Sequence, residues 1–175
     1  MRSYSSALDD MWSTAGALFL ALSIGGLWVW PKFFGVDIHP IFGWAELKSG
    51  QGWLEPGGRY AVGAIAAVIA VLVLIPRTRL AGAWAGLVLS AAFCIAHLTP
   101  WLGVNIPNYG PLMEAIAAGK TAAEVEAMGL KGDKGAHFSI ALLNLGLAIM
   151  TIAAEKVARR PQLAPPRPVM TASLG

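Results

Sequence analysis

The chain has 175 residues, of which 56% are hydrophobic and 13% charged, with a formal net charge of +3. An ordinary soluble domain is about a quarter charged, so these proportions exclude one and specify a membrane protein long enough for one bundle of about four spans. No run of Lys and Arg interleaved with aromatics occurs outside the C-terminal tail, which excludes a nucleic-acid partner. A single cysteine, Cys94, excludes an internal disulfide and a cysteine metal cluster.

The first span is predicted over 12–31, where no residue is charged. Trp12 at one end and Trp28 and Trp30 at the other suit the two aromatic belts. Asp9 and Asp10 precede the apolar run and bulky Trp ends it, the pattern of a retained anchor rather than a cleaved signal peptide. Ala17, Ala21 and Gly25 repeat every fourth residue as a small-residue packing stripe. Pro31 is expected to stop the helix and Lys32 to reach the interface.

Residues 32–58 hold Phe33, Phe34, Phe42, Trp44 and Trp53, too apolar for a solvated linker. The segment is expected to lie along the membrane surface or fold back over the bundle, and its repeated Gly and Pro exclude a span. The second span is predicted over 59–76, with Arg59 and Tyr60 extending a short apolar run by snorkelling. Pro76 ends it, and the turn with Arg77 and Arg79 is short enough to make spans two and three antiparallel neighbours.

The third span, 80–99, is predicted to be the central helix. Gly82, Gly86, Ser90 and Cys94 recur every four positions and His97 follows three later, so all five share one stripe. Helices in lipid associate through close backbone approach over such stripes. On this face Cys94 is a small hydrophobe. From Pro100 the chain is irregular, with short helices expected in PLMEAIAAGK, ending at Gly119, and in TAAEVEAMG, closed by Gly129. Thr121 and Glu124 have capping-box spacing.

The fourth span is predicted over 135–155. His137, Ala141, Asn144, Ala148 and Thr151 form its one polar face, and Asn144 is expected to find a partner across a helix interface. Residues 1–160 thus form a single domain, and the proline-rich tail 161–175 is expected to be disordered. The fold class is an all-α membrane protein: a four-transmembrane-helix bundle with short extra helices in the outer loops.

Four spans place both termini and the second link on one side, with seven basic residues against three acids, and six basic residues against seven acids in longer loops on the other. The basic density near span ends orients the termini to the cytoplasm. His39, His97 and His137 then all lie on the outer side. His97 and His137, at helix ends, would ligate a haem iron or hydrogen-bond a quinone carbonyl, or simply cap backbone carbonyls. Lys32, Glu55, Arg59 and Asp133 would bind an anionic substrate, pair to tie down the loops, or anchor the interface. No CxxCH or HExxH occurs, no metal site is indicated, and within the membrane core proper no span holds Asp, Glu, Lys or Arg, which disfavours a pump or ion-coupled transporter.

Several motifs resemble the DoxX family of small four-helix membrane proteins. They are WPKFFG (Trp30 to Gly35), Glu55-Pro56, the run from Arg59 to Ala83, AHLT (Ala96 to Thr99) and GDKGAHFSIAL (Gly132 to Leu142). The resemblance covers about residues 14–155 and carries Lys32, Glu55, Arg59, Arg77 and His97 onto motif positions. It implies a four-helix bundle in a bacterial inner membrane and an association with quinone-linked thiosulfate oxidation or redox-stress complexes. Two departures stand out: family members often carry a glutamate in span two where this chain has Ala66, and the insert between Pro100 and Gly132 is long.

The function expected is therefore an accessory or structural subunit of a larger, quinone-linked membrane complex. It would contact the lipid bilayer and other membrane subunits or copies of itself, with no catalytic constellation. The alternative is a quinone- or haem-binding electron-transfer protein of the thiosulfate:quinone oxidoreductase type, using His97 and His137. A transporter for a small hydrophobic solute is a third reading.

Overall fold

The structure is a computed structural model that describes residues 4–34 and 37–159. All regular elements among these residues are helical, apart from one isolated bridge between Pro107 and Gly132. Four helical stretches are long and apolar enough to cross a membrane: Ala7–Phe33, Leu54–Leu74, Arg79–Leu98 and Ala136–Ala158. The tail expected to be disordered lies outside the described residues.

The first stretch comprises α1 (Tyr4–Ser23), a π-helical segment (Ile24–Val29) and α2 (Trp30–Phe33). Pro31 does not stop it. The Trp30 N–H donates five residues back, to the Gly25 carbonyl, so the register is already reset and the proline enters the first turn of α2, where its missing N–H is tolerated. Four-residue steps in an α-helix drift by about 40°. The wider π turn absorbs that drift, and Ile24, Trp28 and Lys32 all face inward and are buried. Trp28 is thus a core residue rather than a belt residue, and a Cβ on Gly25 would meet nothing within 4 Å, so its place in the stripe is not a close packing contact.

α3 (Pro40–Ser49) lies over the bundle. The second span is α4 (Arg59–Leu74), entered through a kinked turn at Leu54–Gly58 in which Glu55 is extended. It ends before Ile75, which is extended as residues preceding proline tend to be. α5 (Arg79–Leu98) and α8 (Ala136–Ala158) share the largest helix–helix contact; α1 packs on α8 and α4, and α4 on α5. The small stripe of α5 is buried. A Cβ on Gly82 would stand 2.7 Å from the Val73 nitrogen, so only glycine lets α5 approach α4 this closely. Gly86 faces Ile69, Ile24 and Leu20, and Ser90 is fully buried. On α8, Asn144 does not bond across an interface: its Nδ2 donates to the Ile140 carbonyl of its own helix at 3.2 Å.

A second core forms at the end of the bundle where the histidines lie. Ile41, Phe42, Trp44 and Ala45 of α3 pack against Leu54, Leu102 and Ile106. Leu112 and Ala115 of α6 (Tyr109–Ala117) and Val125 of α7 (Ala122–Ala127) complete it. Both halves of the Thr121/Glu124 capping box are made. The opposite end carries a feature the charge-free spans concealed: Arg79 and Glu155 belong to the helices and are buried. Arg79 Nη1 donates to Ser13 Oγ at 2.8 Å and to Glu155 Oε1 at 3.2 Å. Ser13 Oγ also donates to Glu155 Oε1, and Arg159 Nε donates to Oε2 at 2.8 Å. Three helices are tied together there.

Candidate functional site

At the histidine end the first residue to place is Lys32. It does not snorkel. The inward turn of α2 buries it to 2% exposure, with Nζ 5.8 Å from the Trp28 and Phe42 ring centroids and 5.9 Å from that of Phe93. Cation–π attraction compensates part of its lost hydration. Among the described residues no carboxylate or carbonyl lies within bonding distance of this ammonium. An isolated buried charge is costly, so the site retains capacity for an acceptor.

His39 precedes Pro40 as the N-cap of α3, and its Nδ1 accepts from the Ile41 N–H at 3.3 Å. That bond fixes the tautomer: Nε2 carries the proton. Burial, with the positive charges of Lys32, His137 and Arg59, pushes His39 down to about 3, so the ring is a neutral donor at physiological pH. His137 sits in the first turn of α8. Its Nδ1 is 2.7 Å from Asp133 Oδ2, which directs Nδ1–H to the carboxylate and leaves Nε2 as the other pole of the ring.

Asp133 organises this corner. Oδ1 accepts from the N–H groups of Ile106 and Gly135, at 3.1 and 3.0 Å, and Oδ2 from that of His137 at 3.1 Å. Burial alone pushes its pKa up, but bonds from the His137 backbone and ring and from Gly135 and Ile106 outweigh it and hold the carboxyl below its ordinary range. The carboxylate is therefore a fixed charge that orients the His137 ring.

Lys32, His39 and His137 line one cavity of about 140 Å³, walled by Trp28, Phe93 and Ile140 between the first and fourth spans. An apolar protein cavity of ~150 Å³ takes up one benzene ring, so this space is about the size of one six-membered ring. Its chemistry is an ammonium, a neutral N–H donor and an imidazole backed by a carboxylate, between aromatic faces.

Nothing matches the chain among protein-family models, curated proteins or solved structures.

The geometry therefore has to assign the remaining expected site residues. Glu55 and Arg59 pair with each other, Nε to Oε1 at 3.0 Å with both side chains buried, and the Arg59 guanidinium lies over the Tyr60 ring. Arg59 is an internal tie, not a snorkelling anchor. His97 stands apart from the cavity lining: its Nδ1 lies 2.8 Å from the Gly103 carbonyl, and Nε2 is fully buried with no protein partner. Phe138 packs against its ring. With Nε2 fully enclosed and Phe138 against the ring, a porphyrin has no room on that nitrogen, so the residues present do not fit a haem.

His39, not His97, meets His137, their centroids 6.2 Å apart. Local signals existed for the parts and not for their meeting: His before Pro as a helix cap and Asp133 four residues before His137.

Proposed function

We propose that this chain is a multi-pass membrane protein that holds the ring of a lipid-soluble quinone at its histidine end. The observation that supports this is the Lys32 ammonium, buried without a counter-charge beside His39 and His137 in a ring-sized cavity. The resemblance to the DoxX family points the same way. A bound quinone supplies two-electron, two-proton redox chemistry. Lys32 and His39 Nε2–H would be the donors that hold it, and His137, oriented by Asp133, would be the group placed to pass a proton. Trp28 and Phe93 supply faces for a planar ring. The basic residues at the Arg79 end favour cytoplasmic termini, and the resemblance to the DoxX family implies a bacterial inner membrane.

The test is quinone content and binding. Protein purified in mild detergent is expected to carry extractable quinone near one per chain, and short-chain quinone is expected to quench Trp28 saturably. Lys32→Met removes both. Equal binding by wild type and Lys32→Met contradicts the assignment.

The accessory-subunit role is a second reading, favoured by Trp53, Trp101 and Tyr109, large aromatics exposed around the histidine-end layer. It expects a defined membrane partner to co-purify from native membranes and to be lost in a Trp53→Ser/Trp101→Ser variant that still folds.

A further inference from the structure

Among the described residues, three polar atoms in the interior of the bundle have no protein partner: Ser23 Oγ on α1, Ser90 Oγ on α5 and Asn144 Oδ1 on α8, each atom fully buried. Helix register brings them to one level. α5 and α8 are antiparallel, joined by Arg79 and Glu155 at one end and by His97 against Phe138, centroids 5.9 Å apart, at the other. Eleven residues from Arg79 along α5 is Ser90, and eleven back from Glu155 along α8 is Asn144, three turns on each helix and about 16 Å. For α1 and α8 the fixed point is Gly16, where a Cβ would lie 3.3 Å from Thr151 Oγ1. Seven residues on from Gly16 is Ser23, and seven back from Thr151 is again Asn144, two turns each.

The chemistry at this level is complementary. Asn144 Nδ2 is committed to the Ile140 carbonyl, which leaves Oδ1 as an acceptor. Neither serine bonds a carbonyl of its own helix, the usual outlet for a helical hydroxyl. Each unsatisfied group in an apolar interior costs several kcal/mol, and three at one depth demand a shared partner. We propose that one water molecule is bound here, accepting from both serine hydroxyls and donating to Asn144 Oδ1. Three bonds is the usual complement of a buried water. A hard cation takes six or more oxygens, and three neutral ones do not supply them. The water is the hydrogen-bonded junction of α1, α5 and α8, midway between the histidine site and the Arg79 knot.

Two measurements on the full chain in nanodiscs test this. In radiolytic footprinting, water ionised in place oxidises side chains beside it; Cys94, buried one turn from Ser90, is expected to be oxidised in the wild type and spared in the Ser23→Ala/Ser90→Ala double variant. In thermal unfolding, Ser23→Ala and Ser90→Ala are each expected to lower Tm by about 2–4 °C, with the double variant losing less than the sum. Equal Cys94 oxidation in both proteins, or single variants that leave Tm unchanged or raise it, overturns the water site. A sodium-dependent Tm abolished by Asn144→Ala overturns it in favour of a cation.

Discussion

The rings of His39 and His137 stand edge to face with centroids 6.2 Å apart, one capping a helix that lies over the bundle, the other in the first turn of its last span. Their protonation is coupled through the cavity they share with Lys32. His39 is held neutral by burial while His137 is tied to the Asp133 carboxylate, so the pair is asymmetric by construction.

That asymmetry sets a pH dependence. An unfolded histidine titrates near ~6.5, and the folded His39 ring resists protonation down to about 3. Its contribution to stability is fully present above the unfolded value. It is lost as pH falls from there toward the folded value, because only the unfolded chain takes up the proton, at up to about 1.4 kcal/mol per pH unit. His39→Asn keeps a capping acceptor for Ile41 and is expected to flatten this slope. Tm profiles from pH 7 to 4 that run parallel in the two proteins contradict it.

Gly82 and Gly86 occupy the same stripe but differ in what they touch. Gly82→Ala drives a methyl against the Val73 and Leu72 backbone at 2.7–2.9 Å, while Gly86→Ala meets side-chain methyls at 3.5 Å or more. The first is expected to cost about 1–3 kcal/mol and the second little or nothing. Denaturation in mild detergent reads the difference, and equal losses would refute the close approach of α4 and α5.

The ion pairs rank by burial. Glu155→Ala leaves buried Arg79 without its carboxylate and is expected to cost about 3–5 kcal/mol. Glu126→Ala removes the partner of Lys48 from a pair whose side chains are 21% and 55% exposed, and should cost about 0–1 kcal/mol. A larger loss for Glu126→Ala reverses the ranking.

Glu55 and Arg59 are separable from any role in binding. Either residue changed alone to Met strands a buried charge, whereas the double Met variant strands none. The double variant is expected to be more stable than either single one in thermal unfolding. Additive losses would mean that the two do not act as a pair.

The four long helices were legible because apolar runs of membrane length have few other solutions, and the capping box at Thr121 because its chemistry is local. The site was less so. Lys32 read as a snorkelling anchor because an apolar run ending in Pro and Lys has that form. Nothing local says that a π-helical segment will turn the lysine inward. Arg79 and Glu155 read as boundary charges because hydropathy marks where charge begins, not whether a partner helix buries it. The pairing of His39 with His137 depends on how α3 folds over the bundle, a long-range outcome with no periodicity to announce it.

The π-helical segment at Ile24–Val29 has one more effect. It acts as a phase adjuster, separating the face α1 shows to Thr151 from the face that α2 shows to the cavity. A one-residue deletion there would leave the Arg79 end undisturbed while swinging the Lys32 ammonium out of its cage by roughly a quarter turn. The same bundle would remain, blind at one end.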